Sequence, residues 1–256
     1  MPVSIERIEN SGLAVLEPSR TLFIVLKTPV ISKAIYLGSS NIYKVPSFQE
    51  DANLAALKAI TLEARVYMDG FQNYDPYISS IMGIEGECGV RFGDVKVPKN
   101  VLQICHGDYQ PAATSKPFDT GKWYHVAVAF NKGNVKVYIN GVEKLSGSTG
   151  KSSVSLGAKH TNEEDGSRCF WVGYSYKDDR YFDGVVSEVR IWNRALTAEE
   201  IQATNHFYTI EPESEGLIAY WKFDEGSGTV AKDYSVSGYD LTIEKEPKWE
   251  SVSLPQ

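Results

Sequence analysis

Two stretches decide how this chain folds: residues 121–144, GKWYHVAVAFNKGNVKVYINGVEK, and residues 170–201, FWVGYSYKDDRYFDGVVSEVRIWNRALTAEEI. In the first, residues 123–130 (WYHVAVAF) alternate large apolar side chains with smaller or polar ones. A period of two sends successive side chains to opposite faces, so this segment predicts a half-buried strand. Residues 131–134 (NKGN) supply turn chemistry and residues 135–139 (VKVYI) return as the second strand of a hairpin. Asn140 and Gly141 then turn the chain again, because both tolerate positive φ. The second stretch repeats the pattern with a strand at 170–174, a charged loop at 177–180 and a strand at 185–192. It closes on residues 196–201 (LTAEEI), where Thr197 is placed to N-cap a short helix near 197–204 and Glu199 and Glu200 fall in its first turn.

Short strands continue outward on both sides. Residues 33–37 and 41–45 read as a strand pair about Gly38-Ser-Ser40, followed by one helical turn within 52–59 and a strand at 60–67. Strands at 77–82, 88–92 and 101–105 keep the rhythm, with turn signals roughly every 8 to 12 residues, as an all-β sandwich requires. Near the amino terminus, segments 3–8 and 21–26 read as two strands joined by a turn-rich link. A lone hairpin is marginal in water, so this piece needs a partner.

Composition narrows the function classes. With 42% hydrophobic and 23% charged residues over 256 positions, the chain can bury a substantial core. The net charge of −7 argues against nucleic acid, whose phosphates call for a basic footprint. No apolar run approaches membrane-spanning length. The amino terminus lacks the basic and apolar regions of a secretory signal, and the expectation is a chain that begins inside a longer precursor. Cys88, Cys105 and Cys169 have no metal-ligand spacing; buried free thiols are favoured over a Cys88–Cys105 bridge.

The motifs WYHVA (123–127), VYING (137–141) and EVRIWNRALTAEEI (188–201), in this order, resemble the laminin G-like branch of the concanavalin A-like lectin/glucanase superfamily, including domains in cell-surface glycan-binding proteins of gut bacteria. The resemblance spans roughly residues 32–205 and implies an antiparallel two-sheet jelly-roll sandwich. It also implies a division of the chain. Residues 1–31 are expected to be the tail strands of an upstream β-domain or an amino-terminal extension, and residues 32–208 the laminin G-like sandwich. Residues 217–243, with LIAYWKF (217–223) and DYSVSGYDLTI (233–243), resemble the segment that normally opens such a domain. Sitting here at the carboxyl end, residues 209–256 are expected to fold back and complete the same sandwich, since sandwich termini tend to lie close together.

The chemistry of catalysis is missing. Glucanases of this superfamily use paired carboxylates in a Glu-X-Asp-X-X-Glu strand. The nearest approach, Glu163-Glu-Asp165-Gly-Ser-Arg168, ends in an arginine within a polar loop. The four histidines share no metal spacing, and no serine or cysteine sits in a nucleophile elbow. Calcium stays open: the resemblance points to Asp224, Asp233 and Asp240, but the run DYSVSG departs from the Asn/Asp-rich pattern and favours a solvated turn.

What remains is binding. Sugars are held by flat aromatic faces and by planar polar side chains. Residues 103–110 (with His106 and Tyr109) and 174–181 (with Tyr174, Tyr176, Asp178 and Arg180) offer this mix, and Arg91 is placed on a neighbouring strand. The expectation is a noncatalytic, monomeric carbohydrate-binding sandwich on the extracellular face of a bacterial outer membrane, taking an oligosaccharide or polysaccharide. The rival readings are a protein-interaction or spacer module and a hydrolase with an unfamiliar pair such as Glu87 with Asp108 or Asp94. Trp123, Trp171, Trp192 and Trp221 fit strand periodicity and are assigned to the core.

Overall fold

The computed structural model describes residues 30–38, 43–45, 48, 51–157, 169–175, 180–203, 206–207, 210–243 and 246–254. The expected strands at 3–8 and 21–26, and the Glu163–Asp165–Arg168 loop, lie outside the described residues. The strands are β1 (Val30–Leu37), β2 (Tyr43–Val45), β3 (Ala59–Met68), β4 (Ser79–Ile84), β5 (Cys88–Asp94), β6 (Val97–Cys105), β7 (Trp123–Asn131) and β8 (Asn134–Ile139). They continue as β9 (Val142–Ser148), β10 (Phe170–Val172), β11 (Gly184–Trp192), β12 (Leu217–Trp221), β13 (Val230–Ala231), β14 (Leu241–Thr242) and β15 (Lys248–Leu254). One helix, α1 (Ala198–Ile201), follows β11, and a 3₁₀ turn covers Ala52–Leu54.

These strands make two antiparallel sheets. The first runs β15-β1-β11-β3-β7-β8-β9, with β12 also on β11; the second runs β13-β14-β2-β10-β4-β5-β6. The core between them follows from the period of two. Ile60, Leu62, Ala64, Val66 and Met68 of β3 point inward with Val126, Val128 and Phe130 of β7, and meet Val90, Phe92, Leu102 and Ile104 of the second sheet. The first sheet is buried on its other side as well. Ala127, Ala129 and Trp192 pack there against Leu196, Ile201 and Tyr220, so β11 is buried along its whole length.

The segments at 33–37 and 41–45 do not form a hairpin. β1 lies between β11 and β15 in the first sheet, whereas β2 pairs with β10 and β14 in the second. A Gly-Ser-Ser turn signal reports that the chain changes direction and not which sheet receives it. β1 also begins at Val30, paired with Leu254. At the carboxyl end, β12 occupies the half of the β11 edge that β1 leaves free, and β15 runs the length of β1. Trp221 is fully buried, its rings tilted against Phe48 and Phe170, and its indole N–H donates to the Tyr239 carbonyl at 2.8 Å. Trp171 and Trp192 are buried, but Trp123 is only half-buried beneath Arg65.

Candidate functional site

The outer face of the second sheet carries a pocket whose floor is backbone. Gly83 of β4 and Gly89 of β5 are register partners, and neither puts a side chain on that face. Glycine inside a strand weakens it unless something must approach the backbone closely. At Gly83, φ is 130° and an added Cβ would lie 2.2 Å from the Cys88 carbonyl oxygen, so glycine is required for the bend. Around this floor stand Ser80, Arg91, Cys105 and Tyr174, lining a shallow depression whose cavity volume is only about 20 Å³, room for about one water. The inward neighbours of these residues, Met82, Val90 and Ile104, belong to the core.

Arg91 organises the wall. Its Nε donates to Gln103 Oε1 at 2.7 Å, one Nη to Asp94 at 2.6 Å and the other to Glu85 at 3.4 Å, with the whole side chain 6% exposed. Arg180 reaches the same Glu85 oxygen at 3.5 Å, and the Ser175 hydroxyl donates to it at 3.2 Å. Glu85 thus ties β4 to the loop after β10. On that loop Tyr174 packs edge-on to Trp171 at 5.2 Å and lies 5.6 Å from Tyr181. Ser80 is 3% exposed, and its hydroxyl has no hydrogen-bond partner among the described residues although it lines the pocket. A buried hydroxyl left unsatisfied costs free energy, and a ligand hydroxyl or a water entering the pocket would relieve it.

The structure therefore brings Arg91, Tyr174 and Arg180 together, and separates them from His106 and Tyr109. His106 is 2% exposed, with one ring nitrogen 2.8 Å from Thr149 Oγ1 and the other 3.0 Å from the Ser153 carbonyl. Burial pushes its imidazole below the usual range, and both nitrogens are occupied, so it has no atom to offer a ligand. Tyr109 reaches across to Gly147 of β9 and packs on the core. Tyr176 and Asp178 lie outside the described residues. Glu85 and Ser80 escaped the sequence reading. The available signal was the pair of glycines inside strand-like segments on either side of a tight turn.

The acidic carboxyl-terminal loop is organised by its own backbone. Asp233 accepts hydrogen bonds from the Tyr220, Ser235 and Tyr239 amides and the Ser235 hydroxyl, all at 2.8–2.9 Å. Asp240 accepts from the Asp233 amide at 2.9 Å and from Lys232, while Asp224 accepts from the Tyr234 hydroxyl at 2.8 Å. Calcium needs six to eight convergent oxygen ligands, and these carboxylates are spent separately on N–H and O–H donors. They do not fit a calcium cage.

A second constellation lies between the first sheet and the segment after α1. Glu63, His125 and His206 are all buried. Glu63 Oε1 is 2.6 Å from His206 Nε2 and 3.3 Å from His125 Nε2, while Oε2 accepts from Trp192 Nε1 at 2.6 Å. Two ligands of a tetrahedral zinc, each ~2.0–2.1 Å from the metal, would stand about 3.3 Å apart, so the 2.6 Å contact is a direct hydrogen bond. Burial alone would raise the Glu63 carboxyl, but hydrogen bonds and charge from the two histidines outweigh it and hold it well below the usual carboxylate range. Arg190 completes the network, donating to Glu188 at 2.9 Å and to the His206 carbonyl at 2.5 Å. This network fastens residues 206–207 onto the sheet.

The two antiparallel sheets packed face to face define an all-β sandwich protein. The laminin G-like model of the concanavalin A-like lectin/glucanases superfamily matches residues 38–202, and the chain belongs to that family. No curated protein matches it. Among solved structures, a proposed carbohydrate-binding protein from Bacteroides ovatus ATCC 8483 is similar at 27% identity and TM-score 0.69, over 88% of this chain and 61% of the other. This chain thus spans under two thirds of that protein. Domain 4 of AbnA, an extracellular arabinanase from Geobacillus stearothermophilus solved with arabinotriose, is similar at 22% identity and TM-score 0.39, over 58% and 66% of the two chains. A heptameric SAP-like pentraxin from Limulus polyphemus is similar at 14% identity and TM-score 0.43, over 67% and 80%.

Proposed function

We propose that this chain is a noncatalytic carbohydrate-binding module, with its site in the pocket over Gly83 and Gly89. The observation that carries the reading is the Ser80 hydroxyl, buried and unpartnered in a pocket beside the exposed part of Tyr174. A sugar lying over the floor offers what this place lacks: hydroxyls that reach the buried Ser80 hydroxyl through one water in the pocket, and an apolar ring face to lie against Tyr174. The similarity to the Bacteroides ovatus protein supports the same reading.

The carboxylates nearest the pocket favour binding over hydrolysis. Glu85 and Asp94 both face the Arg91 guanidinium. An acid catalyst must hold a proton and a nucleophile must reach the sugar, whereas these two are engaged as ion-pair partners of one cation. Of the alternative carboxylates, Glu87 lies 3.6 Å from Lys151. We read residues 32–208 and 209–256 as one monomeric binding unit of a bacterial cell-surface protein. No helix among the described residues is long and apolar enough to cross a membrane.

A glycan array, run with calcium and again with a chelator, tests the proposal. Saturable binding that free sugar competes away, and that Tyr174→Ala weakens, is the expected result. A blank array under both conditions would sink it.

A further inference from the structure

We propose that Tyr74 and Tyr77 form an outer subsite that takes the next residues of a neutral oligosaccharide whose first sugar sits over Gly83 and Gly89. This rests on the glycan reading of the pocket and adds to it a direction, a chain length and a charge class.

Tyr74 and Tyr77 are the most exposed aromatic residues described, at 67% and 41%. The Tyr77 amide donates to the Tyr74 carbonyl at 2.5 Å, so one turn presents both rings. That turn is fastened to the pocket wall rather than hanging free. The Gln72 amide donates to Ser79 Oγ at 3.0 Å, the Gln72 side chain donates to the Tyr181 carbonyl at 3.1 Å, and the Ser80 amide donates to the Arg180 carbonyl at 3.2 Å. Tyr77 precedes Ser80 by three residues, and its φ of 64° turns the chain out of the line of β4 just before the strand begins at Ser79. A glycan leaving the pocket toward this edge meets the two rings within a few sugar units.

Exposed tyrosines cost little to order because their side chains have few rotatable bonds, and they offer a flat apolar face with a polar tip. The charges at the pocket fix the class of glycan. Two guanidiniums, Arg91 and Arg180, are matched by two carboxylates, Glu85 and Asp94, and the donors of Arg91 are committed to Gln103, Glu85 and Asp94. An acidic sugar would find no net positive charge to offset its desolvation.

The test is a length ladder. The wild type, Gly89→Val, and the double variant Tyr74→Ala/Tyr77→Asn are titrated with neutral cello-, manno- and xylo-oligosaccharides from disaccharide to hexasaccharide, and with oligogalacturonates as the acidic arm. Asparagine is used at position 77 because it accepts the observed φ of 64°. The expected result is affinity for a neutral ladder that rises with length. The double variant should lose about tenfold for the hexasaccharide, the size of one aromatic contact, and nothing for the disaccharide. An unchanged length dependence in the double variant, with binding still lost in Gly89→Val, overturns the outer subsite and leaves the pocket standing. Preference for the oligogalacturonates overturns the neutral class. Absence of binding to every ladder by the wild type overturns the glycan reading and the subsite with it.

Discussion

Gly83 and Gly89 face each other across β4 and β5, yet only one of them is required by the backbone. A Cβ on Gly83 would fall 2.2 Å from a carbonyl oxygen, whereas one on Gly89 would meet Cys105 Cβ at an ordinary 3.5 Å. Gly89 therefore leaves space that the fold does not need. Gly89→Ala should fold normally, with stability unchanged or raised by about 0.4–1 kcal/mol through the restricted unfolded chain. Gly83→Ala should lower it by more than that. Thermal melts of the two variants check the contrast, and glycan affinity of Gly89→Ala reports whether the floor is used.

The Glu63 network predicts the response to acid. Burial pushes His125 below its ordinary value of 6.5, so the unfolded chain takes up a proton there before the folded one does. Stability is then lost as pH falls below about 6.5. Glu63 is held below its ordinary 4.5, so its contribution is present above that pH and lost as pH falls further. Urea unfolding across this range should show stability falling in both windows. Glu63→Gln should cost about 1–3 kcal/mol at neutral pH, because it removes the buried carboxylate that accepts from the Trp192 indole and lies against both histidines. A loss below ~1 kcal/mol would mean the network is not stabilising.

Binding should survive calcium removal. Asp224, Asp233 and Asp240 are held by separate hydrogen-bond donors, and none of them is needed at the pocket. Titrations with calcium and with a chelator should agree within error. A chelator-sensitive affinity would contradict this.

The thiols should be silent. Burial pushes Cys88 and Cys105 up to about 12, and both are free cysteines. Neither should react with a disulfide reagent at neutral pH until the chain is unfolded, because the thiolate is the reactive form. Rapid labelling of either residue in the native protein would show that the second sheet opens locally.

Thr197→Ala should destabilise by about 1 kcal/mol. Thr197 Oγ1 accepts from the Glu200 amide and Glu200 accepts from the Thr197 amide, a capping box that also holds Arg194 at 2.6 Å. The midpoint of chemical unfolding, at unchanged slope, measures it.

The sequence by itself determined the all-β architecture, most of its strands and the capped helix turn, because these rest on local rules. A period of two, Asn-Gly turns and a Thr-X-X-Glu cap act within a few residues, so they can be read in a line of text. Tertiary structure alone decided which sheet β1 and β2 join, since a turn signal carries no partner. It also decided that His106 turns inward to Thr149 and Ser153, where only contacts between distant segments consume its nitrogens. The pocket is the clearest case. Glu85 meets Arg180 from 95 positions away, and the side-chain-free floor exists only because β5 places Gly89 opposite Gly83. A side chain's neighbours across a sheet are fixed by strand order and register, and those follow from how the whole core packs rather than from any local run of residues.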